Sequence, residues 1–213
     1  MTTPTGQQAA EVQAALARND RYIVEFVEAL NLCPYAKRCR ETGKLHRRVV
    51  FAGPSASPGE WLQQARAAAA EVERLPVDSV EVALLLFPGF ASGTRAFDDL
   101  CHGVRDSLRD FFCVAFHPDL PEDLTDEHRA VGFLRRSPDP TIQLVRESVL
   151  RTVRGTRTGG STFVDASKLT LTELMAVESP LGVSEKIALA NLATLRREGA
   201  EAIRARLDSL RRR

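Results

Sequence analysis

Two short stretches constrain this chain more than any others: "VALLLF" (Val82–Phe87) and "FFCVAF" (Phe111–Phe116). Each is apolar at consecutive positions, whereas a strand with one face in water would alternate apolar and polar residues. Both stretches therefore call for a sheet covered on its two faces. Between them, Phe97, Leu100, Cys101, Val104 and Leu108 recur at helical spacing, after a stop at Pro88-Gly89 and a capping position at Thr94. Upstream, "HRRVVFAG" (His46–Gly53) reads as a shorter strand. It precedes "SPGEWLQQARAAAAEVERL", where Ser57 and Pro58 open a helix that carries Trp61, Ala65, Ala69 and Val72 on one face. Strand, helix, strand, helix, strand from 46 to 117 predicts parallel pairing with right-handed crossovers.

The flanks complete one α/β domain over residues 1–213, with a central mainly parallel sheet, helices packed around it and a long C-terminal helix. Residues 9 to 30 read as helix, with Ile23, Phe26, Val27 and Leu30 on one stripe. Ala130–Arg136 is expected as a short fourth strand and Pro140–Arg154 as a helix. Residues 1–8 are expected to be disordered and 155–168 to be loop, with a short strand at Thr162–Val164. A helix is expected near Leu169–Val177, and the last helix from about Ser184.

The chain has 213 residues, 44% hydrophobic and 27% charged, with net charge +1. That composition is globular, and the charge balance argues against nucleic acid or an anionic membrane as partner. The N-terminus lacks the basic and apolar regions of a signal peptide, and no apolar run approaches a membrane span. A soluble cytoplasmic protein is expected. In a reducing compartment its four cysteines, 33, 39, 101 and 113, stay unbridged. Neither a cofactor nor an oligomeric state follows from the sequence.

Three segments carry chemistry. The first is "NLCPYAKRC". A Pro suits the first position of a helix, so Cys33 stands where a cap would, and a helix N-terminus with Lys37 and Arg38 close by lowers a thiol pKa. The same thiol serves equally well as a small packed side chain. No second Cys completes a dithiol motif, and Cys39 is not at a metal-pair spacing, so it reads as a solvated helix residue. Cys101 and Cys113 lie among apolar neighbours and read as core. The second segment is "FHPDL": His117 ends a strand on the side of a sheet where ligands collect, and it reads as base, acid or ligand, or as a histidine bonded to backbone. The third is "RRSPDPT", where Arg135 and Arg136 precede an apparent helix start offering Ser137 and Thr141. Two guanidiniums there suit a carboxylate or phosphate, and capping with surface charge is the alternative.

Together with "NLATLRREG", these motifs resemble a bacterial domain-of-unknown-function family, number 1415. The resemblance falls on Asn31, Leu32, Cys33, Pro34 and Ala36, then Phe116, His117 and Pro118. It continues through Arg136, Ser137, Pro138, Pro140 and Thr141, and ends with Asn191, Thr194, Leu195 and Gly199. That pattern has an aromatic where Asp139 stands and a His where Gln143 stands, and a shorter stretch from about 155 to 180. The resemblance implies a shared motif set and no particular reaction.

Two functions from different classes follow. One is a thiol-dependent enzyme acting on a small anionic substrate, with Cys33 as nucleophile and His117 as its base. Arg135, Arg136, Ser137, Thr141, Asn31 and Tyr35 would then contact the substrate. The other is a non-catalytic protein that binds a small ligand, a metal or haem through the same cluster. A structural role within a complex is a third.

Overall fold

The computed structural model of the chain describes residues 6–33, 35–53, 55–125, 127–154 and 183–212. Four strands form one sheet in the order β1-β2-β4-β3, where β1 is Leu45–Val49, β2 Val82–Leu86, β3 Phe111–Phe116 and β4 Thr141–Arg146. Strand β1 pairs parallel with β2, while β4 pairs antiparallel with both β2 and β3. Strands β1, β2 and β3 thus share one direction, as the strand–helix alternation predicts. The mainly parallel sheet is corrected: β4 takes the slot between β2 and β3 and leaves a single parallel pair.

Residues 141–146 were expected within a helix, and here non-local pairing decides. "TIQLVR" alternates, putting Ile142 and Leu144 on one face of the sheet and Thr141 and Gln143 on the other. Its backbone bonds to both neighbours, and the helix α6 (Glu147–Arg154) starts only afterwards. The expected strand at Ala130–Arg136 is instead covered largely by helix α5 (Glu127–Leu134), which buries Ala130, Phe133 and Leu134 at i, i+3 and i+4.

Helices cover both faces. On the first lie α3 (Pro58–Glu73) and α4 (Thr94–Arg105), closing a core of Trp61, Val72, Leu85, Phe97, Val104 and Ile142. Helix α3 begins with the expected Ser57 cap: the Ser57 hydroxyl accepts from the Glu60 N–H and the Glu60 carboxylate accepts from the Ser57 N–H. In α4 the cap is Gly93 and not Thr94. The second face is covered by α1 (Gly6–Tyr22), α5, α7 (Val183–Glu198) and α8 (Ala200–Arg211), around Phe26, Phe133, Leu195, Ile203 and Leu207. The expected single C-terminal helix is broken at Gly199, whose φ of 82° suits glycine. Helix α1 begins at Gly6, so only residues 1–5 of the segment expected to be disordered lie outside the described residues. The loop, strand and helix expected between 155 and 177 also lie outside them.

Helix α1 runs into a π-helical segment, Ile23–Glu28, marked by N–H(i) to O(i−5) bonds from Ala29 to Val24 (3.3 Å) and from Leu32 to Val27 (2.9 Å). A turn follows it and contains Asn31, the single described non-glycine residue with positive φ (51°). Asn is among the few residues that tolerate this conformation. The short helix α2 (Ala36–Glu41) then leads into β1.

The helix layer is fastened to the sheet at Asp139. Its carboxylate accepts from Arg18 Nε (3.0 Å) and Nη2 (2.9 Å), across 121 positions of sequence. Its backbone carbonyl accepts from the hydroxyls of Ser137 (2.5 Å) and Thr141 (2.9 Å), which fixes the turn into β4. The pair is largely shielded, with side-chain exposures of 22% and 12%. Loss of either partner leaves a partly desolvated charge. Asp139→Ala is expected to lower unfolding stability by about 2 kcal/mol. In a double-mutant cycle by urea denaturation, Arg18→Ala should show coupling of about 1 kcal/mol or more with it; additive losses would mean the pair contributes nothing.

Candidate functional site

Between the second face of the sheet and its helices lies a cavity of ≈ 260 Å³. Its floor comes from strand residues of that face, Leu45, Val82, Leu84, Phe116, Thr141 and Gln143. Its walls are Asn19 and Tyr22 of α1, Ile23 and Val27 of the π-helical segment, Cys33, Tyr35 and Cys39 around α2, and Asn191 of α7. Arg135 and Ser137 close it at the entrance to β4. Most of the lining is apolar, and Arg135 is the one formally charged side chain among the described lining residues.

Cys33 is half-buried and the least buried of the four cysteines. Its thiol accepts from the backbone N–H groups of Tyr35 and Ala36, so the local geometry resembles the expected cap. Burial nevertheless outweighs those bonds and raises its pKa above the ordinary thiol value. Helix α2 is only six residues long and begins at Ala36, later than expected, so its dipole contributes little. The basic burst is engaged elsewhere. Arg38 and Lys44 (2.9 Å) both bond the carboxylate of Glu81. Arg40 holds Glu28 in a bidentate pair (2.7 and 2.9 Å), and Lys37 faces Glu41 at 4.0 Å. The expected low-pKa thiol is therefore corrected: Cys33 is held protonated near neutral pH. Tyr22 stands near enough to Cys33 for the thiolate to add to the rise in its own pKa, which burial dominates.

His117 lies on the other face. It is 3% exposed and packs against Phe97 (ring centroids 5.6 Å apart) beside α4. Along β3, Phe111, Cys113 and Ala115 point to that first face, while Phe116 lines the cavity on the second. Both ring nitrogens are engaged. Nδ1 accepts from the Asp119 N–H (3.1 Å), which leaves Nε2–H to donate to the Ser92 carbonyl (3.3 Å). Burial lowers its pKa. The structure therefore separates Cys33 from His117, and the expected nucleophile–base pair is not formed. A second, more open cavity of ≈ 500 Å³ touches His117, and Arg135 at the sheet end lines both cavities.

The remaining expected contacts divide. Arg136 is tied to structure: its Nε donates to the Leu120 carbonyl (2.6 Å) and its guanidinium covers the Phe133 ring (5.0 Å to the centroid). Arg135 is solvent-exposed and makes no side-chain hydrogen bond or ion pair among the described residues. Ser137 and Thr141 line the cavity but give their hydroxyl protons to Asp139. Tyr35 lines it too, whereas Asn31 is exposed in the turn that follows the π-helical segment. Cys39, expected to be solvated, is 2% exposed and touches the cavity. Sequence reasoning passed over Asn19, although it interrupts the buried stripe Ala15, Asn19, Tyr22, Phe26, where a polar residue is conspicuous. Among the described residues no group of three His, Cys, Asp or Glu side chains is placed to hold a metal ion, and no helix is long and apolar enough to cross a membrane.

A family model described as "Protein of unknown function (DUF1415)" matches residues 14–165, so the chain belongs to that family. No curated protein and no solved structure matches it.

Two titrations check this site. Native-state alkylation should label Cys33 first, at a rate still rising above the ordinary thiol range. Cys39 and Cys113, with pKa about 11, and Cys101, about 12, should label only on unfolding. For His117 the folded pKa is depressed, so the unfolded chain takes up a proton that the folded one refuses. Its contribution is complete above the unfolded value of about 6.5 and is lost as pH falls through the folded value. Melting temperature should fall from pH 7 to pH 5, and less steeply in His117→Gln; parallel slopes would show that His117 titrates alike in both states.

Proposed function

We propose that this member of the DUF1415 family binds a small amphipathic anion in the cavity beside Cys33, with Arg135 holding the anionic group. The observation that carries this reading is the guanidinium itself. Arg135 has no carboxylate partner among the described residues, and it borders a cavity whose other described lining residues carry no formal charge. The guanidinium is solvent-exposed where it borders the cavity and is not committed to an ion pair, so an incoming carboxylate can accept two charge-assisted hydrogen bonds from it. The apolar remainder of such a ligand would lie against Ile23, Val27, Leu84 and Leu134. The volume of ≈ 260 Å³ suits a molecule somewhat smaller than a typical drug.

Binding is favoured over thiol catalysis because the two requirements of the latter are unmet. Burial keeps the Cys33 thiol protonated, and the nearest expected base, His117, faces the opposite side of the sheet with both nitrogens engaged. The same separation argues against a metal or haem ligated by Cys33 and His117 together.

Nonanoate, below its micelle concentration, should raise the melting temperature in a saturable way, and the uncharged 1-nonanol should do so far less. Arg135→Gln should weaken nonanoate binding by about tenfold or more, the size expected for a charged hydrogen bond. Equal stabilisation by the alcohol, or full retention of nonanoate affinity in the variant, would refute the anion role. Arg136→Gln, which loses the Leu120 contact, should instead lower stability without ligand.

A further inference from the structure

Carboxamides without a side-chain partner among the described residues also line the cavity. Asn191, on α7, is 6% exposed, lines the cavity and makes no side-chain hydrogen bond among the described residues. Asn19, on α1, is 4% exposed, lines the same cavity, and its Oδ1 has no partner. Gln143, on β4, adds a third amide to the lining without a described partner. None of these is at a helix end, where a cap would explain a free amide. The two asparagines sit on mostly apolar helix faces: Asn191 beside Ala188, Leu192 and Leu195, with Thr194 a further buried polar residue, and Asn19 between Ala15 and Tyr22. An amide buried in such a place without a partner is unfavourable relative to one that is satisfied. An alkyl side chain would avoid that cost altogether.

We infer that the occupant of this cavity is a carboxylate with an amide in its chain, an N-acyl amino acid being the simplest such class. This rests on the anion reading above and adds to it. The carboxylate meets Arg135, and the amide meets Asn191 and Asn19. A carboxamide side chain both donates and accepts, and so does a secondary amide. In the trans peptide its N–H and C=O point in opposite directions, so it can bond side chains brought by two separate helices at once. The acyl chain takes the apolar wall. A plain fatty acid would leave both asparagines unpaired, and sites built to hydrogen-bond a ligand reject analogues that lack the group.

The probes are N-hexanoylglycine, nonanoate, which has the same chain length without the amide, and 3-hydroxynonanoate, all measured by calorimetry on the full chain. N-hexanoylglycine should bind the unmodified protein at least about tenfold more tightly than nonanoate. In Asn191→Leu, and separately in Asn19→Leu, that ratio should fall toward one, with folding checked by circular dichroism. Equal affinity for N-hexanoylglycine and nonanoate would overturn the amide and leave the anion reading standing. An equal gain from 3-hydroxynonanoate would overturn it in favour of a hydroxyl. A ratio that survives both asparagine substitutions would remove these residues from recognition. If no carboxylate binds at all, the anion reading fails and this inference fails with it.

Discussion

Asp139 is the joint on which the arrangement depends. One residue turns the chain into β4 through its carbonyl, which collects the Ser137 and Thr141 hydroxyls, and anchors α1 through its carboxylate and Arg18. The first function lets β4 enter the sheet between β2 and β3. The second brings α1, and with it Asn19 and Tyr22, over the face that β4 helps to build. Thr141 and Gln143 are then floor, Asn19 and Tyr22 are wall, and Arg135 stands just before the turn, at the sheet end. A hydrogen-bonded ion pair this shielded contributes more to specifying the geometry of two layers than a surface pair would, because the alternative is a charge left without solvent.

Charge around Cys33 is arranged for structure. Glu81 and Glu28, both largely buried, draw in Arg38, Lys44 and Arg40, and these pairs clamp α2 between the π-helical segment and the start of the sheet. Little positive potential is left for the thiol. Two backbone N–H groups favour thiolate, but the apolar cavity opposes it more strongly. The result is a protonated sulfur in a mostly apolar wall, suited to packing against a ligand. The π-helical segment beside it contributes Ile23 and Val27 to the same wall. Such segments are frequent at functional sites because they depart locally from the regular helical ladder.

Polar groups without a partner among the described residues line the cavity: the exposed guanidinium of Arg135, the half-buried amide of Gln143 and the buried amides of Asn19 and Asn191. Outside the cavity His46 Nε2 and Arg211 Nε are also buried without partners among the described residues, while other buried polar groups are bonded. Buried Arg146, for example, donates to the carbonyls of Val80 (2.9 Å) and Leu75 (3.3 Å) and covers the Phe111 ring. His117 is likewise satisfied at both nitrogens. Among the described residues Asn19 Oδ1 is the unpaired buried atom that borders the cavity, and a ligand that bonds it would offset the cost of its burial.

The sequence by itself determined the layered α/β character, because "VALLLF" calls for cover on both faces and "FFCVAF" for cover on at least one; at the sheet edge Phe112 stays 37% exposed. It also determined the helices whose stripes are regular, from Trp61 to Val72 and from Phe97 to Val104, and the Ser57 start. These are local properties, set by periodicity and capping within a few residues. It determined that Cys33 and the Arg135–Thr141 stretch stand apart from core composition, and both border the cavity. Tertiary structure decided the rest. Whether "TIQLVR" is strand or helix depends on two neighbours far away in sequence. Whether Lys37, Arg38 and Arg40 serve a thiol or a carboxylate depends on where Glu28, Glu41 and Glu81 arrive. Strand alternation turns His117 to the first face, a choice that a single residue of register governs, whereas the helices bring Cys33 to the cavity on the second. Burial is what finally sets the state of the thiol, and burial belongs to the assembled layers and to no segment alone.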